Sequence, residues 1–275
     1  MKGSKQMAYD LASLETQTNP RPPRILVYGV PGVGKTVLGI TAPKPVFIRT
    51  EDGLDGKMPD GTLAIDALQA NNGATFPLCK TFEEVLECLA TLANEEHDFE
   101  TLVVDSCDWL EMLLQSYTAR KSGHASIEDA GYGKGYIDAK RHFEELYLGG
   151  INYLNVEKSM TIMQVAHSSV VKFDSPDVDP YNRYEIKMHK HTSNLLQEHS
   201  DCILFANYKI ATTKTDVGFN KKQNRAVGTG ERILQTNDRP THLAKNRYGM
   251  PDQIPMEWTA IAENIPFFNK HKESQ

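Results

Sequence analysis

One octapeptide in this 275-residue chain has the residue types needed to hold phosphate. Gly29-Val30-Pro31-Gly32-Val33-Gly34-Lys35-Thr36 satisfies the P-loop pattern GxxxxGK[ST] in full. The glycines let backbone N–H groups converge on phosphate oxygens, and the N-terminus of a following helix adds partial positive charge. Lys35 neutralises the β and γ oxygens of a nucleoside triphosphate, and Thr36 offers Mg²⁺ a hydroxyl. The chemistry implied is binding of ATP with Mg²⁺ and transfer of its terminal phosphoryl group. The metal also needs an acid, and Asp105 closes the apolar run Leu102-Val103-Val104. Ser106 rather than Glu follows it, so a base that polarises water must come from elsewhere. Glu51 lies just past Val46-Phe47-Ile48, where an open α/β sheet places its ligand crevice. It either orders the attacking water or is a solvated loop carboxylate.

These groups meet only if short buried strands deliver them to one edge of a sheet. Ile25-Leu26-Val27-Tyr28 reads as a strand ending at Gly29, followed by the Gly-rich turn, a helix closed by Pro43 and a second strand at Val46-Phe47-Ile48. Thr81-Phe82-Glu83-Glu84 has capping-box spacing, and Phe82, Val85, Leu86, Leu89 and Leu92 recur at helical intervals, which predicts a helix over 81–94. Thr101 to Val104 predicts a third strand and Trp109 to Ala119 a helix. Met160 to Ala166 predicts a fourth strand after a long helical stretch broken at Gly149-Gly150. This alternation predicts an α/β fold, a mostly parallel sheet covered by helices.

Residues 168–191 are polar and irregular, too long for a simple connection, and read as a functional loop. Leu195 to His199 and Cys202 to Phe205 resume helix and strand. Lys209 to Thr213 and Arg232 to Thr236 then flank a basic, Gly-containing loop at 214–230, predicting a C-terminal β-hairpin extension with a long tip. Residues 1–23 read as an N-terminal tail or linker, 24–251 as the core and 252–275 as a C-terminal tail. Within that tail the apolar Ile265-Pro266-Phe267-Phe268 is expected to pack back on the domain.

Composition bounds the function class. With 40% apolar and 24% charged residues, the chain has the profile of a soluble folded protein. No apolar run approaches the ~20 residues of a membrane span, and Met1 to Asp10 holds no hydrophobic leader, so the expected location is the cytoplasm, with no membrane partner. The four cysteines form no CxxC pair, which argues against a zinc site or disulfide framework. His189, His191 and His199 lack the cysteine or carboxylate partners of a metal cluster. The net charge of −6 is unevenly spread. Thr81 to Asp108 holds nine acids and no Lys or Arg, whereas Phe205 to Gly249 holds nine Lys and Arg against three acids. That second stretch is either a set of solvated basic loops or a contact for a polyanion.

Several of these segments resemble one family. Phe47-Ile48-Arg49-Thr50-Glu51-Asp52-Gly53-Leu54-Asp55 resembles the strand and turn of RecA recombinases that carry their catalytic Glu, and Val103-Val104-Asp105-Ser106 is similar to their Walker B segment. The resemblance implies a RecA-like P-loop NTPase with Glu51 as the water-orienting carboxylate. His167 stands where that family has a Gln that senses the γ-phosphate and begins the second DNA-binding loop, which would be 168–191. Lys245-Asn246-Arg247 resembles the Lys-x-Arg finger that reaches a neighbour's γ-phosphate. Lys245 and Arg247 would then act on an active site shared between subunits of a homo-oligomer.

Tyr132-Gly133-Lys134-Gly135-Tyr136, the strand-end His167 and Ala244-Lys245-Asn246-Arg247-Tyr248-Gly249-Met250-Pro251 are similar to small phage RecA-like ATPases of the Sak-type single-strand annealing group. That likeness implies an ATP-hydrolysing, DNA-stimulated protein that binds single-stranded DNA in phage recombination or annealing, within the host cytoplasm, with a single-strand-binding protein as a further partner. Lys134 in a first DNA loop, Lys172, Lys187 and Lys190 in the second, and Lys221, Lys222 and Arg225 in the hairpin tip are the expected phosphate contacts. Phe173, Tyr181 and Tyr184 are candidates for stacking on bases. Two other classes use a P-loop: a nucleotide-dependent assembly factor with little turnover, and a small-molecule kinase, against which the chain shows no Arg-rich lid segment.

Overall fold

The computed structural model describes residues 20–216 and 222–270. β1 (Arg24–Gly29), buried along its whole length, leads through the P-loop into α1 (Lys35–Ile40). β2 (Pro45–Arg49), α2 (Ala64–Ala70) and β3 (Ala74–Thr75) follow. α3 (Phe82–Asn94) begins at the expected capping box: the Thr81 hydroxyl accepts from the Glu84 N–H, and the Glu84 carboxylate accepts from the Thr81 N–H. Two otherwise orphaned donors of the first turn are thereby satisfied. β4 (Thr101–Asp105), α4 (Cys107–Lys121), α5 (Lys134–His142) and α6 (Gly149–Val156) come next. The chain continues through β5 (Thr161–Phe173), β6 (Tyr181–Ile186), α7 (Lys190–His199), β7 (Cys202–Asp216) and β8 (Lys222–Gln235). β9 (Lys245–Asn246), β10 (Gln253–Pro255), α8 (Trp258–Ala262) and α9 (Pro266–Lys270) complete it.

The strands lie in the order β10-β8-β7-β1-β5-β4-β2-β3, with β6 paired to β5 and β9 to β7. From β7 to β3 every pairing on this path is parallel; β8 and β10 add an antiparallel edge. Successive side chains of a strand point to opposite faces, and both faces here are covered. Leu26 and Tyr28 face one apolar layer with Phe82, Leu110, Phe143 and Ile151 from α3, α4, α6 and the turn before it. Ile25 and Val27 face the other, with Leu38, Leu68, Trp258 and Ile261 from α1, α2 and α8. The result is an α/β fold with a mostly parallel sheet, the P-loop following β1, and the β7–β8 hairpin as an extension. β5 lies between the P-loop strand and the Asp105 strand, so that Gly29 is level with His167 and Asp105 with Val165.

Four expectations need correction. Residues 168–191 are not an irregular loop: β5 runs on through Phe173 and pairs antiparallel with β6, from Ser168–Ile186 to Phe173–Tyr181. The long helical stretch is not broken at Gly149-Gly150, because a π-helical turn at Phe143–Leu148 carries α5 into α6. A Cβ on Gly150 would lie 3.1 Å from Leu89 Cδ1, so this glycine serves the approach of α6 to α3. The segment after 251 is not a tail: Gln253 to Pro255 pair with Ile233 to Gln235, and Trp258, Ile261 and Ile265 are buried. Its apolar cluster packs back as expected. Finally, the loop at 214–230 is mostly strand, with β7 and β8 paired out to Asp216 and Lys222. Residues 1–19 and 271–275 lie outside the described residues, whereas Pro22 and Pro23, assigned to the N-terminal tail, are buried.

Candidate functional site

The C-terminal ends of β1, β2, β4 and β5 converge, and each delivers one group. At the end of β1, a Cβ on Gly29 would lie 2.2 Å from the Ala206 carbonyl oxygen, so only glycine allows β1 and β7 to approach here. Gly34 has φ +103°, a left-handed conformation that turns the loop into α1. The Lys35 ammonium donates to the carbonyls of Gly29 at 3.2 Å and Val30 at 3.1 Å. Burial pushes its pKa down, against the opposing pull of Asp105, Glu51 and Asp108.

The Thr36 hydroxyl donates to Asp105 Oδ2 at 2.6 Å, while Asp105 Oδ1 is buried without a partner. Burial raises the Asp105 pKa beyond what the Thr36 hydrogen bond and the Lys35 charge offset. An orphaned carboxylate oxygen beside a hydroxyl fits a divalent cation that also uses phosphate oxygens and water, as Mg²⁺ does. Among the described residues no cluster of three or more His, Cys, Asp or Glu forms a self-sufficient metal cage.

Thr50 aligns the neighbouring strand end. Its N–H donates to the Asp105 carbonyl at 2.8 Å, its hydroxyl donates to the Ser106 carbonyl at 2.7 Å, and the Ser106 N–H donates back to that hydroxyl at 2.9 Å. Glu51, the next residue, is thereby held beside the metal position. Burial and the nearby Asp105 raise its pKa, partly countered by His167. His167 Nε2 lies 3.9 Å from Glu51 Oε1.

On its other side, His167 Nδ1 bonds Asp108 at 3.0 and 3.2 Å, and its backbone N–H donates to the same carboxylate at 3.1 Å. The hydrogen bond to Asp108 raises the His167 pKa. Burial opposes ionisation of Asp108, but these bonds from His167 prevail and hold the carboxyl below its usual range. Asp108 is the functional residue that sequence reasoning missed. Its one signal is its place in the first turn of the helix that follows Asp105, facing back toward the strand ends. One turn later the buried Glu111 accepts from the His189 N–H at 2.9 and 3.0 Å and from the Thr192 hydroxyl. Helix α4 therefore holds both the start of the β5–β6 hairpin, at His167, and the start of α7 beyond it.

The remaining expected residues fall elsewhere. Lys245 and Arg247 flank Asn246, which pairs with Cys202, itself level with Ile25 at the beginning of β1. They stand at the opposite end of the sheet from their own P-loop. The Lys245 ammonium donates to the carbonyls of Gln197 at 2.8 Å, Glu198 at 3.3 Å and Ser200 at 2.7 Å, capping the end of α7. In this arrangement all three ammonium hydrogens serve as a helix cap. Arg247 contacts Asp201 at 3.2 Å and stays half exposed.

Lys134, the first residue of α5, and Lys187 and Lys190, at the end of β6 and start of α7, are exposed on one side, where the Tyr136 and His189 rings stack at 4.2 Å. Lys172 is exposed along the hairpin and pairs with Asp174 at 3.7 Å. Phe173 lies against Tyr181 and under Arg183. Tyr184 is half-buried and packs one ring face on Phe205 at 4.9 Å. Lys221 lies outside the described residues; Lys222 and Arg225 fall on β8, opposite Asp216 and Thr213.

Beside the P-loop, on the outer face of α1, is a cavity of ≈ 330 Å³ walled by Val37, Leu38, Met58, Met256 and Trp258, with Thr41 and Arg232 among its other lining residues. Its volume is at the lower end of the range for small-molecule sites.

The family described as AAA domain matches residues 21–248. A crystal structure of the RadB recombinase is 17% identical over 82% of this chain and 86% of that chain, with a TM-score of 0.43. No curated protein matches the sequence.

Proposed function

The chain belongs to the AAA domain family, and on that premise we propose that this nucleotide-binding P-loop ATPase of RecA-like type hydrolyses ATP on single-stranded DNA, in phage recombination or annealing. The observation that carries the reading is the convergence of Lys35, Thr36, Asp105, Glu51 and His167 at one sheet edge, with the hairpin that begins at His167 leading away from it. Thr36 and Asp105 would hold Mg²⁺, which when bound neutralises charge across the β and γ oxygens. Lys35 exchanges its two carbonyls for phosphate oxygens. Glu51 accepts a proton from the attacking water, and His167 orients the Glu51 carboxylate from behind. Lys245 and Arg247 of a neighbouring subunit would reach a shared site, Lys245 by giving up its carbonyls and Arg247 from its half-exposed position. DNA phosphates would meet Lys134, Lys172, Lys187 and Lys190, with Lys221, Lys222 and Arg225 on the second hairpin.

The test is steady-state hydrolysis of MgATP with and without single-stranded DNA, beside Lys35→Ala. Stimulation by DNA that Lys35→Ala removes supports the reading. Negligible turnover with or without DNA transfers it to a nucleotide-dependent assembly factor, and phosphorylated product from a nucleoside or nucleotide screen transfers it to a kinase.

The ≈ 330 Å³ cavity next to Gly34 and Val37 is where the base of the nucleotide would lie, its apolar walls sandwiching a flat ring. Thr41→Trp, which fills the mouth from an exposed position, is expected to weaken ATP binding about tenfold while leaving the affinity for Mg–tripolyphosphate unchanged. Equal loss for both probes would place the base elsewhere.

A further inference from the structure

The root of the long hairpin rests on the P-loop through one cross-strand pair. Tyr208 on β7 and Arg232 on β8 are directly opposite, just before the register shifts between Tyr208 and Ile210. The Tyr208 hydroxyl donates to the Gly32 carbonyl at 3.3 Å. Arg232 lies so close to the loop that a Cβ on Gly34 would be 2.4 Å from its Nη1; glycine leaves that space to the guanidinium.

Arg232 is partly buried and lines the cavity beside α1. Among the described residues no carboxylate lies within ion-pair distance of it, and its chain neighbour Glu231 contacts Lys209 at 2.9 Å instead. A guanidinium is charged at every accessible pH. Glu257 lines the same cavity without pairing with Arg232, so among the described residues the guanidinium is held against the loop with part of its hydration removed and no paired carboxylate, which costs free energy that an anion would return. The anion-binding element within reach is the P-loop itself.

We infer that Arg232 is a nucleotide-contacting residue supplied in cis, its guanidinium binding α- and β-phosphate oxygens from the outer side of the loop. This rests on the proposed nucleotide site. Lys35 approaches the same phosphates from the inner side, where it is held by Gly29 and Val30. Arg232 instead shares the outer side with the cavity, so its contact falls on the phosphates nearest the nucleoside. Because β8 carries Arg232 at one end and the basic hairpin beyond, nucleotide occupancy fixes the hairpin root.

Calorimetric titration with MgATP, MgADP and Mg–tripolyphosphate of the wild type, Arg232→Gln, Arg232→Lys and Lys35→Ala tests this. The expected result is that Arg232→Gln weakens all three ligands about tenfold or more, that Arg232→Lys recovers part of the loss, and that the ligand-free melting temperature of Arg232→Gln is unchanged. Unaltered affinities for all three ligands overturn the inference, as does a loss shared by ATP and tripolyphosphate but absent for ADP, which would put the contact on the γ-phosphate. A melting temperature that falls while binding holds makes Arg232 structural and overturns it too. Failure of the wild type to bind any of the three ligands is a different result, because it removes the nucleotide site itself.

Discussion

Glu51→Gln is expected to lower the rate of ATP hydrolysis about a hundredfold or more while leaving MgATP affinity nearly intact, since general-base assistance contributes on the order of 10²–10⁴ and the amide keeps the shape of the carboxylate. Single-turnover hydrolysis beside a binding titration separates the two readouts. A parallel loss of affinity would mean that Glu51 holds the nucleotide rather than the water. The pH dependence follows from the same geometry. Burial and Asp105 raise the Glu51 pKa, and only its ionised form can accept a proton, so activity rises as pH passes upward through that raised value. His167, Asp105, Lys35 and Asp108 are the charged groups that act on it. Asp108 holds His167 protonated to higher pH, and a protonated His167 favours ionised Glu51. Asp108→Asn should therefore move the acid limb of the rate profile to higher pH, with a reduced kcat and an unchanged KM for ATP. A purely structural Asp108 would lower stability without moving that limb.

What the sequence showed, and what it hid, follows the range of the interactions. The P-loop was legible because its function is local: eight consecutive residues make their own anion cradle, and Lys35 and Thr36 come with it. Asp105 and Glu51 were legible because each sits at the end of an apolar run, and parallel strands bring such ends to one edge. Asp108 was not, because an acid in the first turn of a helix is common for reasons of dipole and capping alone, and only the register of β5 puts His167 opposite it. The β5–β6 hairpin was hidden by its sequence: Asp174 to Pro180 has turn composition, and polar residues on both sides alternate with Val170, Tyr181 and Tyr184 too sparsely to read as strands. The last segment, after 251, holds elements of five residues or fewer whose apolar character is explained only by the sheet edge and the α1 face they cover. The helix-capping contacts of Lys245 were hidden for a related reason. A cation spaced to serve a neighbour's phosphate is equally spaced to cap a helix C-terminus, and the difference lies in α7, which ends about 45 residues earlier.

The same end of the sheet carries the largest expected effect on stability. Asp201, between α7 and β7, is 4% exposed and accepts from the Arg24 backbone N–H at 3.0 Å and from its guanidinium at 3.3 and 3.4 Å. Arg21 at 2.8 Å and Arg247 at 3.2 Å complete the cluster. The Arg24 side chain is only 10% exposed, so Asp201→Ala strands a buried charge, a change that costs about 3–5 kcal/mol. In thermal or denaturant unfolding this should appear as a loss of roughly 10 °C in Tm.

Burial disfavours ionised Asp201, but the hydrogen bonds and charges of Arg24 and Arg21 prevail and hold its pKa below the ordinary value. A carboxyl depressed in the folded state contributes stability that is present above the unfolded pKa, about 3.9, and lost as pH falls through the folded one. Wild type and Asp201→Ala should accordingly converge in stability in strong acid and differ most near neutrality. Equal stability at neutral pH would show that the cluster is not a structural knot. Arg247 is the informative contrast, because at 53% exposure its removal leaves Arg24 and Asp201 paired. Arg247→Ala should fold with nearly unchanged Tm, so a large fall in its ATPase rate would come from a neighbouring subunit's site. A normal rate in that variant would leave the shared active site without its cation.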